Sequence, residues 1–411
     1  MVATVPDTSK TAEPLSTEPG RGQRLHVQLG ESVYDLTGWR KRHPAGTHWI
    51  DRFQDKDATD VMAAFHSDEA FQMLQKLPTA RGVAPPVEPS QATKNFRAFR
   101  RQLVDDGWFN RVWHKDAFII GAHFATMAAG VALTKLVNPW LGVLVLGLSH
   151  TTGGWLAHDM VHGRGRLPSV LRNIGALTVG LSTKWWSEKH NLHHACTNVV
   201  GVDEDIMVEP ALWLWPPSAD RDRPWRRFQH WYWPLPYSLT FALWRVDSIR
   251  TAIDRKLKLE GALLAAHYAL LFSLVPWPVA IGQIFVGGVI TATAVTVTHT
   301  GEELVLQDDD GYVETQFKTS RDAVCHDPVS EYIWGGMQYQ LEHHLFPTMP
   351  RYKYKDLVPL VKAFAEENGL EYRATGQWKI IGDTISKLRR VATAPVEPSS
   401  PAPGTADINK P

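Results

Sequence analysis

Four apolar stretches, at about 117–134, 139–158, 260–275 and 279–299, constrain this chain more than any other feature. Each approaches the ~20 helical residues that a bilayer core of about 30 Å requires. The first two are joined by the short Lys135–Trp140 connection and the last two by Pro276-Trp277-Pro278, a helix-breaking turn with an interfacial aromatic. Two helical hairpins are therefore expected. Buried helices of a soluble bundle are the alternative for any one segment, and two hairpins in one chain argue against it. Arg111, His114 and Lys115 precede the first hairpin, Arg164 and Arg166 follow it, and Arg255, Lys256 and Lys258 precede the second. Positive charge marks the cytosolic side, which places both termini and everything between the hairpins there. The aromatic, proline-interrupted WYWPLPYSLTFALWR (231–245) reads as lying in the interface and not spanning.

Histidines gather at the cytosolic ends of these segments. His158 and His162 stand at i and i+4, on one face of a helix. His190, His193 and His194 repeat that logic at i, i+3 and i+4, and Gln340, His343 and His344 do so with glutamine in first place. His299 directly follows the fourth apolar stretch and reaches the same side. His123, His150 and His267 have no partner at ligand spacing and read as packing or hydrogen-bonding residues; His326 is left unassigned. Eight histidines and a glutamine exceed one four-coordinate structural site, and two metals are the natural count. Imidazole suits zinc, copper, nickel or iron, so the ligand type alone leaves the metal open. The two cysteines, Cys196 and Cys325, show no ligand spacing and are too few for a disulfide framework. Lys plus Arg and Asp plus Glu balance at 43 each, so no bulk charge points to nucleic acid as a partner.

Ahead of the apolar region lies a small polar segment, closed by the Pro-rich and polar run GVAPPVEPSQATKNF at 82–96, a linker. It places His43, in His43-Pro44-Ala45-Gly46, 23 residues before His66. Across VQLGESVYDLTGW (27–39), HPAG and DATDVMAAFH (57–66) the segment resembles cytochrome b5. The resemblance implies haem b with His43 and His66 as axial ligands, an arrangement that favours electron transfer. Ala45 departs from the second glycine of the usual His-Pro-Gly-Gly turn, and its added methyl bears on the turn or the redox poise. A one-electron carrier fused to a polyhistidine site makes iron the natural metal, since zinc has no use for electrons.

From about residue 22 to 380 the chain then resembles the front-end fatty acyl desaturases, on WLAHDMVH (155–162), WWSEKHNLHHACTN (185–198) and GGMQYQLEHHLFPTMPR (335–351). The expectation is a mainly α protein: a small α+β cytochrome b5-like domain (21–81), the linker, and a desaturase domain (97–390) with four transmembrane helices and a cytosolic helical cap. Pro/Ser/Thr-rich tails at 1–20 and 391–411 are expected to be disordered. The first 20 residues contain no apolar run, so no secretory signal is expected in them. The resemblance implies two non-haem irons held by His158, His162, His190, His193, His194, His299, His343 and His344, with Gln340 a weaker ligand or an outer partner. Asp159, Asp203, Asp205 and Glu342 are candidates to fix imidazole tautomers, with solvated surface carboxylates as the alternative. It further implies a cis double bond made in front of an existing one in a polyunsaturated fatty acyl chain carried on CoA or a glycerolipid. Electrons would come from NADH-cytochrome b5 reductase, in a multi-pass endoplasmic reticulum protein. A sphingoid-base desaturase, an acyl hydroxylase or acetylenase, a tethered haem carrier with inactive histidine groups and a zinc-dependent membrane hydrolase stay open at this point.

Overall fold

The computed structural model describes residues 24–43, 46–83, 88–306 and 311–396. The segment at 1–20, most of the tail at 391–411, and Pro44 and Ala45 lie outside the described residues. The N-terminal unit opens with an antiparallel hairpin of β1 (His26–Leu29) and β2 (Ser32–Asp35), followed by α1 (Thr47–Arg52), α2 (Thr59–Phe65) and α3 (Asp68–Leu74). Leu25, Val27, Tyr34, Leu36, Ala58 and Leu74 make its core.

The segment read as a linker to residue 96 ends earlier. The Ser90 hydroxyl accepts the Thr93 amide, an N-cap that starts α4 (Gln91–Asp105). Phe96 and Leu103 on one face of α4 enter the C-terminal core. Arg97 and Arg100 on another reach back to the N-terminal unit. The helix thereby ties the two parts of the chain together.

Next come α5 (Trp113–Leu136) and α6 (Pro139–His162), packed along their lengths, then the short α7 (Arg166–Leu171), α8 (Ile174–Thr178) and α9 (Thr183–Ala195). After α10 (Gln229–Tyr232) come α11 (Pro234–Asp254), α12 (Lys258–Leu274) and α13 (Trp277–Thr300). By length and composition two described helices, α5 and α13, are long and apolar enough to cross a membrane, where the sequence suggested four. The difference is chemical: α6 carries His150, Thr151, Thr152, His158, Asp159 and His162, and α12 has 17 residues. The second pair also departs from the expected hairpin packing. α13 packs chiefly on α6 and α11, while α12 packs on α8 and α11 and meets α13 mainly near their turn, through Leu271, Val275 and Val279.

α6 and α13 cross closely because glycines face each other. A Cβ on Gly147 would sit 2.4 Å from Val286, and one on Gly287 would sit 3.0 Å from the Gly147 carbonyl oxygen. α11 is continuous, since Pro234 and Pro236 occupy its first turn, where proline is tolerated. Leu235, Leu239, Leu243, Val246, Ile249 and Ile253 form an exposed apolar stripe along it. With the exposed Trp113, Phe118, Trp140, Leu144, Phe272 and Trp277, this gives the bundle a large apolar exterior.

The remaining chain caps one end of the bundle: α14 (Tyr312–Thr319), β3 (Asp322–Val324), α15 (Pro328–Trp334), α16 (Gln340–Leu345), α17 (Tyr354–Glu367), β4 (Ala374–Gly376) and α18 (Gln377–Thr393). The two strands pair in parallel. α18 runs past residue 390, with Val391 and Ala392 buried, so the expected tail begins later than 391.

Candidate metal centre

Four helix ends deliver the histidines. His158 and His162 occupy the last turn and a half of α6, His190, His193 and His194 the last two turns of α9, His299 the end of α13, and Gln340, His343 and His344 all of α16. They sort into two adjoining groups. His158, His162, His190, His194 and His343 offer nitrogens that all lie within 4.8 Å of one another, as do His193, His299 and His344. The His190 Nε2 is 3.0 Å from the Nε2 of both His158 and His194. Two imidazoles bound at right angles to one metal by bonds of about 2.1 Å have nitrogens about 3 Å apart. Gln340 joins the second group, its amide nitrogen 2.9 Å from His299 Nε2.

Acceptors behind the rings set their tautomers. His193 Nδ1 donates to the Asp203 carboxylate at 2.9 Å, His299 Nδ1 to the Thr319 carbonyl at 2.8 Å, His344 Nδ1 to Gln316 Oε1 at 2.7 Å and His343 Nδ1 to the Tyr354 hydroxyl at 3.2 Å. Each ring then presents Nε2 to the interior, the arrangement that metal-bound histidines adopt. Gln316 also donates to the His194 carbonyl at 3.0 Å. Of the four carboxylates singled out in the sequence, Asp203 does what was expected. Asp205 pairs with Lys189 at 2.5 Å and lies 3.7 Å from His193 Nδ1. Asp159 instead accepts from Arg111 at 2.6 Å, and Glu342 faces Asp322 and accepts from Tyr372 at 3.0 Å. Gln316, Thr319 and Tyr354 carry no motif in the sequence, and only the fold brings them to the rings.

The donor set fits metal ions. His162 Nε2, His343 Nε2, His344 Nε2 and Gln340 Oε1 are buried with no hydrogen-bond partner among the described residues. Burial, reinforced by neighbouring imidazoles, holds His190, His194, His343 and His344 well below the usual histidine range. They are therefore neutral, the form that binds metal. At His193 burial acts in the same direction, but the Asp203 carboxylate outweighs it and the pKa is raised. Cys196 accepts from Arg52 at 2.8 Å and Cys325 lies elsewhere, so neither thiol belongs to these groups. His123 pairs with Thr152, His267 with the Leu177 carbonyl, and His150 packs 5.8 Å from His267, all three as packing or hydrogen-bonding residues. His326 is exposed.

In the N-terminal unit His43 and His66 face each other with ring centroids 6.1 Å apart. Two imidazoles on opposite sides of one iron, bonded at about 2 Å, have centroids about 6 Å apart. His43 Nδ1 lies 3.2 Å from the Gly46 carbonyl and His66 Nδ1 3.2 Å from that of Met62, so Nε2 is the atom each would turn to iron. Gly46 itself has φ 106°, a conformation that suits glycine. This pair fits a bis-histidine haem.

A cavity of about 340 Å³ adjoins the metal groups. His158, His190, His193, His299, Gln340 and His343 line part of it, and apolar residues that include Phe241, Trp244 and Val179 line much of the rest, together with Lys189, Glu204 and Asp205 and several hydroxyl side chains. Gly154, one turn before His158, also faces it: a Cβ there would meet only Phe241 within 4 Å, at 3.9 Å.

Known proteins share this organisation. Residues 134–376 match the family described as fatty acid desaturase, and residues 11–82 match the cytochrome b5-like heme/steroid binding domain. The acyl-lipid 8-desaturase of Rebecca salina is 30% identical over 394 residues, 89% of this chain and 91% of that protein. The delta(8)-fatty-acid desaturase of Euglena gracilis is 28% identical, over 84% and 90% of the two chains. Fatty acid desaturase 3 of Homo sapiens is also 28% identical, over 92% and 93%.

Proposed function

The chain belongs to the fatty acid desaturase family, oxidoreductases that act on acyl chains with O2, and carries a cytochrome b5-like domain at its N-terminus; from that premise we propose that it is a front-end desaturase. In this reading it places a cis double bond between the carboxyl end and an existing double bond of a polyunsaturated fatty acyl chain on CoA or a glycerolipid. The observation that carries it is the pair of adjoining histidine groups, with Gln340 beside the second, against an apolar cavity. The names of the relatives, two of them 8-desaturases, support the front-end class.

His158, His162, His190, His194 and His343 would hold one iron. His193, His299 and His344, with Gln340 as a weaker ligand or outer partner, would hold the other. His43 and His66 would hold haem b. Bound iron supplies dioxygen activation and removal of hydrogen from an unactivated methylene, and haem supplies electrons singly. The protein does the rest by position. Asp203, Thr319, Gln316 and Tyr354 hold the rings in one tautomer. The apolar wall of Val179, Phe241 and Trp244 takes the acyl chain, with burial contributing about 0.8 kcal/mol per methylene, and keeps water from the reacting carbons. Affinity of that kind has no chemical handle along the chain, so the bond's position depends on how far the carboxyl end lies from the metal histidines.

The apolar exterior of the bundle supports a multi-pass membrane protein of the endoplasmic reticulum, with α6 and α12 completing four spans and the metal histidines and both termini on the cytosolic side. NADH-cytochrome b5 reductase is the electron source in this proposal. We assign residues 21–81 to the haem domain and, with the expected bounds of 97–390 widened to take in all of α4 and α18, residues 91–393 to the desaturase domain. The test is expression in a host fed single polyunsaturated fatty acids, with chromatography of the products. New double bonds in front of existing ones, lost in His193→Ala, are the expected result. New bonds confined to sphingoid bases, or bonds that survive His193→Ala, would overturn the proposal.

A further inference from the structure

The last residue of α2 and the one that follows it serve two sites. His66 turns to His43, while Phe65, immediately before it, turns to the metal histidines. The Phe65 ring centroid is 5.9 Å from that of His194, edge to face at 77°, and 6.4 Å from that of His162. Arg164 fixes the arrangement from behind. Its guanidinium donates to the Phe65 carbonyl and, at 2.5 and 3.1 Å, to the carbonyls of His162 and Gly163 at the end of α6.

Helix α4 holds the same helix from its other side. Arg97 pairs with Asp57 at 2.7 Å and Asp60 at 2.8 Å, and Arg100 donates to the Ala63 carbonyl at 2.7 Å. α4 is itself locked in the C-terminal core, with Phe96 stacked on Phe346 at 5.4 Å and Phe99 on Phe364 at 5.3 Å. The N-terminal unit is thus docked in one orientation by groups on both sides of Phe65. An aromatic side chain needed only to fill an interface has no reason to end against two ligand rings while its neighbour serves the haem.

From these contacts we infer that Phe65 is the positioning residue for electron passage, its ring leading from His66, the adjoining residue that would hold haem, to the His162/His194 side of the metal centre. The inference rests on the reading of both sites given above. Tunnelling falls exponentially with the empty distance to be crossed, and a polarisable ring packed on two histidines of the metal centre, next in the chain to a residue that would hold haem, shortens it. Each passage oxidises the haem by one electron and reduces the metal centre by one. Two passages and two protons accompany each dioxygen, which leaves as two waters while the acyl chain loses two hydrogens. A flavin reductase using a reduced pyridine nucleotide restores the haem.

The test uses the full-length protein with haem and iron bound. Haem is reduced, mixed with dioxygen and acyl substrate, and its reoxidation is followed by absorbance alongside its midpoint potential. Phe65→Leu, close in volume but without the ring, is expected to slow reoxidation about tenfold or more, with spectrum and potential unchanged, while Phe65→Tyr keeps the wild-type rate. Wild-type reoxidation in Phe65→Leu, or slowing accompanied by a shifted potential, overturns the inference. If the wild type shows no substrate-dependent reoxidation, the underlying reading of the two sites fails first, and visibly so. Should Phe65→Leu not fold, Arg97→Gln serves instead, because it loosens the docking from a point remote from both sites. Slowed reoxidation with an unchanged haem supports the inference, and an unaltered rate overturns it.

Discussion

Replacing Asp203 by asparagine changes one atom at the best-defined contact behind the histidines, and three hydrogen-bond donors feel the change. Asp203 is fully buried. Its Oδ2 accepts from His193 Nδ1 at 2.9 Å and from the Asn198 amide at 2.8 Å, and its Oδ1 accepts from the Asp205 amide at 3.0 Å. Asparagine has one oxygen to offer where these donors converge. If its oxygen stays with His193, its NH2 opposes the Asp205 N–H, and a buried donor without an acceptor costs about 1–3 kcal/mol. If it flips, the NH2 meets His193 Nδ1, which must give up its proton. The proton then sits on Nε2, the atom the ring would offer to metal. Substitutions of such supporting carboxylates typically cost about 10–100-fold in metal affinity or activity, or about 1.4–2.7 kcal/mol. The assay is the iron-to-haem ratio of purified protein during titration with a chelator, haem absorbance serving as the internal standard. Asp203→Asn is expected to release iron at about 10–100-fold lower chelator concentration with haem retained. Iron retention and turnover equal to the wild type would refute the assignment of Asp203 as the group that orients His193.

Other outcomes rest on single contacts. Gly154→Leu puts a side chain into the cavity against Phe241, and product chromatography is expected to show a shift toward shorter or less deeply inserted acyl chains, with iron content unchanged. Arg97→Ala leaves the largely buried Asp57 and Asp60 unpaired, which weakens docking of the N-terminal unit by about 3–5 kcal/mol and speeds limited proteolysis within 82–90. His43→Ala is expected to abolish the haem absorbance and the activity together, with activity returning when a separate cytochrome b5 is added. Arg245, 4% exposed, has Nε and Nη2 without partners among the described residues, so Arg245→Met is expected to raise thermal stability in detergent by about 1–4 kcal/mol.

The histidines were legible in the sequence because spacing alone puts His158 with His162, and His190 with His194, on one helix face. His299 needed only the additional inference that the ends of successive apolar helices meet. Their supports were harder to read for a geometric reason. Consecutive helical residues point about 100° apart. Asp159 and Glu342 adjoin His158 and His343 in sequence, yet for that reason they face Arg111 and Tyr372 and not the interior of the histidine groups. Asp203 lies in the turn after α9, where the chain folds back, and so reaches His193. Gln316, Thr319 and Tyr354 come from elements that the cap folds against α9, α13 and α16, and nothing local marks them. The prolines of 231–245 looked like interruptions because proline's effect depends on its place in the helix. In the first turn of α11 it initiates instead. The Ser90 cap was present in the sequence but hidden within a Pro-rich run that outweighed it.

The two sides of the centre have different neighbours, and this separates roles that activity alone would blur. His158, His190, His193, His299, His343 and Gln340 line the cavity, whereas His162 and His194 do not and instead meet the Phe65 ring. In the proposed reading substrate would approach one face and the haem unit the other. A bulky residue on the cavity face should change which products form at an unaltered rate of haem reoxidation under saturating substrate. A change at Phe65 or Arg164 should slow reoxidation and leave the product distribution as it was. The five-histidine group spans both faces, with His162 and His194 toward Phe65 and His158, His190 and His343 toward the cavity. The three-histidine group, with Gln340, meets the cavity through His193 and His299 and contacts no ring of the N-terminal unit among the described residues. On the proposal that electrons cross at Phe65, they would reach the five-histidine group first. If so, the iron held there should be the first to change its spectroscopic signature when haem is reduced without dioxygen; simultaneous reduction of both irons at every ratio of reductant would contradict that order.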